Sequence, residues 1–109
     1  MSFIDRMILS VDQLNLEEVK DWVKVEHNLD DKILLNLRDV AVYEAYNYMQ
    51  NDFEEEIEGE LVEKPIPFNV KLACLMFVAY LYENRGDEVT QLPLNCMRLL
   101  TPYKKLVGL

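Results

Sequence analysis

Hydrophobic and polar positions divide this chain into four helix-length segments and one stretch that fits no helix. The first segment opens at Leu16: Leu16, Val19 and the Trp22-Val23 pair recur every three to four residues, the spacing of one helical face. Asn15 precedes it as an N-cap, with Ser10 an earlier candidate, and Glu17 and Glu18 fall where the helix dipole favours negative charge. A helix this short persists only if its apolar face packs against something. The run His27-Asn28-Leu29-Asp30-Asp31 reads as a turn with a new N-cap at Asp30. From there Leu34, Leu37, Val40-Ala41, Ala45 and Tyr48 form a sustained stripe, flanked by Ile33 and Glu44, that predicts a helix over residues 31–50. On this reading Tyr48 belongs to the core, and Tyr43 and Tyr46 lie off the stripe.

The third segment covers residues 70–84, with Asn69 as its cap, and residues 72–82 are apolar without interruption. A helix apolar nearly all round needs neighbours on several sides, so this one is expected at the centre. Gly86 offers a left-handed stop, and Arg85 places positive charge at the negative end of the dipole. After a loop over residues 87–91, Pro93 suits the first turn of a fourth helix lined by Leu94, Met97 and Leu100, and Pro102 ends it.

Between the second and third helices the pattern changes. Asp52, Glu54, Glu55, Glu56, Glu58, Glu60 and Glu63 occur with no basic residue among them, Gly59 interrupts them, and Pro65 and Pro67 close the segment. Like charges at this density weaken a helix. The expectation is a long exposed acidic loop over about residues 51–66, either mobile or functional. The fold predicted is all-α: one domain over residues 1–109, a small bundle of about four helices around a buried central helix.

Composition narrows the function. The 109 residues carry a net charge of −9, from 20 acidic and 11 basic side chains. Sequence-independent affinity for DNA comes from Lys and Arg neutralising phosphates, a footprint this chain lacks. An acidic surface can still work beside DNA, by repelling it. The start, Met1-Ser2-Phe3-Ile4-Asp5-Arg6, has no long apolar stretch of a signal peptide, so the expectation is a reducing cytoplasm with Cys74 and Cys96 both free. The apolar run of residues 72–82 falls well short of the ~20 residues that cross a bilayer, so no membrane is expected.

No constellation points to catalysis or to a cofactor. The single His27 beside Asp30 and Asp31 reads as a turn residue, not as a metal ligand, and the acidic segment lacks the Asp-x-Asp-x-Asp-Gly layout of a calcium loop. Cys74 falls inside the apolar run, where a thiol is inert, and Cys96 has no CxxC partner. The chain is expected to be no enzyme, with no catalytic, metal or cofactor residues. Two features ask for more than a structural explanation. Tyr82-Glu83-Asn84-Arg85 is adequate as a helix terminus, but Glu83 and Arg85 could reach a neighbouring subunit. The acidic segment and the basic-then-apolar tail, residues 104–109, form surface patches of opposite sign.

These same residues carry a resemblance. The chain is similar to the small helical head–tail connector (adaptor) proteins of tailed phages and prophages. Leu16-Glu17-Glu18-Val19-Lys20 matches their early Leu-x-x-Val-Lys helix, and the turn from His27 to Asp31 matches the polar turn that opens their long helix. After Pro67, the central helix ends in Leu81-Tyr82-Glu83-Asn84-Arg85. Leu92-Pro93 and Leu99-Leu100-Thr101-Pro102-Tyr103-Lys104 complete the series, with Lys104 where the family usually has Arg and Gly86 where it often has Glu. The resemblance implies a subunit of the virion, assembled in the host cytoplasm into a ring, commonly twelvefold. The ring would join the portal to a stopper or tail-completion protein, with DNA passing through the centre unbound. It places Tyr82, Glu83, Arg85, Tyr103, Lys104 and Lys105 at a subunit or portal interface. Asp52, Glu54, Glu55, Glu56, Glu58 and Glu60 would then face the channel or the tail. The alternative reading is an acidic inhibitor of a host enzyme that mimics DNA.

Overall fold

A computed structural model describes residues 13–51, 53–85 and 92–105. The cap candidate Ser10, the acidic Asp52, the proposed stop at Gly86 with its loop, and residues 106–109 lie outside them. Among the described residues the order is α1 (Leu16–Val23), α2 (Asp31–Met49), β1 (Glu54–Ile57), β2 (Glu60–Glu63), α3 (Phe68–Glu83), α4 (Leu94–Leu100) and a 3-10 turn (Thr101–Tyr103). This is a small all-α bundle carrying one two-stranded hairpin.

The apolar helix α3 is central, as its composition demands: α1, α2 and α4 all pack on it. Val70, Ala73, Cys74, Phe77 and Val78 are buried along its length. They meet Val19 of α1, Leu34, Ala41, Ala45 and Met49 of α2, and Cys96 and Leu100 of α4 in one core. Burying a Val or Leu completely stabilises the fold by about 1.5–3 kcal/mol each. Cross-links finish the edges of this core. Lys71 Nζ reaches Glu18 Oε2 at 2.8 Å, joining α3 to α1, and the Arg38 guanidinium donates to the Leu14 carbonyl at 3.2 Å.

Asn15 caps α1 as expected, its side chain accepting from the Glu18 amide at 2.9 Å. Asp30 is the N-cap residue of α2, also as expected, but its side chain makes no cap bond, because its carboxylate is engaged by α3. The other helix starts differ from expectation. Helix α3 begins at Phe68 with Pro67 in the cap position, ahead of Asn69. Pro93 likewise caps α4 and does not sit in its first turn. Pro102 does not stop the chain from coiling; it lies in the 3-10 turn that tightens the end of α4. Helices α1 and α2 both close on left-handed residues, Lys24 at φ 60° and Gln50 at φ 53°.

The buried stripe of α2 is rotated from the expected one. Tyr46 is core and Val40 is exposed, while Tyr48 is only half-buried, its hydroxyl hydrogen-bonded to that of Thr101 at 2.8 Å. Apolar residues lie on both sides of this helix, with Ile33, Val40 and Tyr43 on the outside, so spacing alone did not select the buried face.

The acidic segment is a hairpin, not a loop. Ile57 pairs with Glu60, Glu56 with Leu61 and Glu55 with Val62. The two-residue connection Glu58-Gly59 has positive φ at both positions, 52° and 84°, as a type I′ turn requires. Extended backbone sends successive side chains to opposite faces, which spreads charges that a helix would stack. The base is clamped by Gln13, which accepts from the Ile66 amide at 2.6 Å and donates to the Lys64 carbonyl at 3.0 Å. Phe53 seats it on the bundle, its ring against Tyr46 and Tyr103.

Candidate functional site

The residues singled out from the sequence fall into three places. At one end of the bundle, the last turn of α3 folds back onto the start of α2. The Tyr82 hydroxyl donates to Asp30 Oδ2, Arg85 Nη1 stands 3.4 Å from the same oxygen, and the Arg85 guanidinium lies 4.3 Å from the centre of the Tyr82 ring. The Tyr82 hydrogen bond, and then the positive charges of Arg85 and His27, lower the Asp30 pKa against the opposing effect of desolvation. Donating to a carboxylate raises the pKa of Tyr82 in turn. Beside it, Lys20 joins α1 to the same turn through Asn28 Oδ1 at 2.8 Å and Asp31 Oδ1 at 2.9 Å. Tyr82 and Arg85 therefore contact their own chain here, and Glu83 between them is exposed.

Tyr103, Lys104 and Lys105 sit at the other end. The 3-10 turn docks on the C-terminus of α2: the Lys105 amide donates to the Met49 carbonyl at 2.8 Å, and Asn51 Nδ2 donates to the Tyr103 carbonyl at 3.0 Å. The Tyr103 ring is half-buried against Phe53, while Lys104 and Lys105 are exposed, with Lys104 Nζ 4.8 Å from the Tyr48 ring centre. Helix α2 has 19 residues, so at 1.5 Å per residue the two clusters lie about 28 Å apart. The structure does not bring them together within one chain.

The third place is the hairpin. Glu56, Glu58 and Glu60 are exposed on it, interleaved with Ile57, Leu61 and Val62, each more than two-fifths exposed. Glu54 and Glu55 are placed in β1 by the strand register, and Asp52 is outside the described residues.

A fourth feature was not legible as a site. An open groove runs between α1, α3 and the start of α4, lined by Trp22, Met76, Ala79, Tyr80, Glu83 and Pro93. Trp22 is 42% exposed and Tyr80 43%. The sequence signal was the Trp22-Val23 pair, of which Val23 packs partly buried against the core and Trp22 stays exposed.

Chemistry is sparse. Among the described residues no group of three or more His, Cys, Asp or Glu could hold a metal ion. Both cysteines are buried thiols, and burial pushes Cys74 up to about 12. No helix of the described residues is long and apolar enough to cross a membrane.

Comparison with known proteins supplies the context for this geometry. No curated protein and no solved structure matches the chain. The family model for phage gp6-like head-tail connector proteins matches residues 13–95. That span runs from the Gln13 clamp through α1, α2, the hairpin and α3 into the start of α4, so it takes in most of the bundle. The chain belongs to the phage gp6-like head-tail connector family.

Proposed function

We propose that copies of this chain assemble into a ring, commonly twelvefold in connectors, between the portal of a filled head and a stopper or tail-completion protein. DNA passes through the centre without specific binding. Family membership is the observation that carries this reading. The molecule supports it physically. A rigid helical body with charged clusters at opposite ends suits head-to-tail contacts, which close into rings when the rotation per subunit allows. A net charge of −9 suits a wall that must not grip phosphate. On this reading the hairpin carboxylates Glu56, Glu58 and Glu60 face the channel or the tail. The clusters Tyr82-Glu83-Arg85 and Tyr103-Lys104-Lys105 lie near subunit or portal contacts, with Glu83 and the two lysines outermost.

Electron microscopy of portal rings from the same phage or prophage, with and without this protein, tests the reading. An additional symmetric ring on the tail-facing end is the expected result. Unaltered portal rings at high protein concentration and moderate salt would overturn it and bring forward the DNA-mimic inhibitor. Replacing Glu56, Glu58 and Glu60 with Lys should slow DNA ejection from otherwise normal particles; unchanged ejection would sink the hairpin placement.

A further inference from the structure

We infer that the Trp22–Tyr80 groove is a socket for the basic end, from Lys104 onward, of a second copy of this chain. This rests on the ring reading above and adds which surfaces meet. Chemistry selects the occupant. The groove offers two partly exposed aromatic rings beside the exposed carboxylate of Glu83. An ammonium group is attracted both to an aromatic face and to a carboxylate. Trp and Tyr are also the residue types that anchor protein contacts most often. Met76, Ala79 and Pro93 add apolar lining beside Asn95 and Cys96, which an apolar side chain complements. Lys104 and Lys105 are adjacent and exposed, and Leu106 and Val107 follow them in the sequence. This segment therefore supplies both complements.

Geometry places the contact between copies. Lys105 is held at the Met49 end of α2, whereas the groove lies along the second half of α3, whose terminus is tied to Asp30 at the opposite end. The groove lining reaches Cys96 of α4, and the rest of that helix with its 3-10 turn separates it from Lys104 by about 12 Å within one chain. A lysine side chain does not reach that far. Socket and basic end are different surfaces at different ends, so their pairing is heterologous and propagates from copy to copy. An acidic chain that assembles must bring its basic residues into contact with acids, because uniform apposition of like charge costs free energy.

Reciprocal charge reversal tests this. Glu83→Lys puts a cation near a helix C-terminus, which the dipole tolerates, and Lys104→Glu/Lys105→Glu alters exposed side chains, so both variants should melt like the parent. Sedimentation velocity, with portal rings added as a nucleus, should show each variant assembling at least about tenfold more weakly than the parent. Mixed one to one, the variants should regain assembly, because each basic end then meets an acidic socket and each acidic end a basic one. Trp22 is the single tryptophan, so its emission reports the socket directly and should shift to the blue on assembly. A parent that assembles with unchanged Trp22 emission, or variants that assemble as well as the parent, would overturn the socket and leave the ring standing. A parent that neither self-associates nor joins portal rings would overturn the ring and the socket with it.

Discussion

Leu94 and Leu100 offer the same truncation twice on one short helix, in opposite environments. Leu100 has no exposed surface, and Leu94 is 64% exposed. Helix α4 has seven residues, too few to persist without packing, and Leu100 helps fix it to α3. Leu100→Ala removes three buried carbon atoms and leaves a cavity that the surrounding helices fill only in part. The expected loss is about 3 kcal/mol, within the usual range of roughly 2–5. A domain of this size has about 5–15 kcal/mol of total stability, so this is a large share of it. The melting temperature should fall by about 12–20 °C. Leu94→Ala forfeits little burial and gains slightly in helix propensity, so its change should stay within about 0.5 kcal/mol. Urea unfolding followed by circular dichroism measures both, with the midpoint moving and the slope held constant. Because α4 carries Lys104 and Lys105 to the end of α2, Leu100→Ala should also weaken assembly at temperatures where it remains folded. Equal losses for the two variants, or a loss below about 1 kcal/mol at Leu100, would refute the packing of α4 on α3 and every argument built on it.

Three further outcomes follow from particular contacts. Cys74, raised by burial from 9.0 to about 12, should resist thiol reagents at pH 8 until the protein is unfolded. Keeping that thiol neutral contributes stability that is intact below about pH 9 and is lost as the pH climbs toward 12; rapid labelling of the native protein would contradict this. Asp30 titrates below its ordinary 3.8, so its contribution is present above that pH and disappears on acidification through the lowered value. Tyr82→Phe removes the largest cause, and carbon-detected NMR titration should show Asp30 moving back up; an unmoved Asp30 would mean that Arg85 and His27 alone set it. At the hairpin tip, Glu58→Asn converts Glu58-Gly59 to the Asn-Gly pair that a type I′ turn favours, and should stabilise the hairpin by about 0.5–1 kcal/mol. Amide exchange across β1 and β2 measures that gain, and faster exchange would argue against the turn.

Sequence alone determined the class of fold and the order of its helices. Periodicity, caps and proline placement act over a few residues, and an apolar segment as long as residues 72–82 has little choice but to be central. The same local signals carried the connector resemblance, since its motifs sit at helix starts and stops. Tertiary structure decided what depends on partners distant in the chain. It turned α2 so that Tyr46, not Tyr48, enters the core, because both sides of that helix are apolar and only the packing on α3 separates them. It left Asp30 at the N-cap of α2 but drew its side chain away from the cap bond, because Tyr82 and Arg85 arrive there from more than fifty residues later. It folded the acidic run into a hairpin because Gln13 and Phe53 hold the base, while the glutamates read by themselves only opposed a helix. The groove between α1, α3 and α4 is of the same kind: Trp22, Tyr80 and Glu83 are ordinary helix residues in the sequence, and they face one space only once three helices have packed.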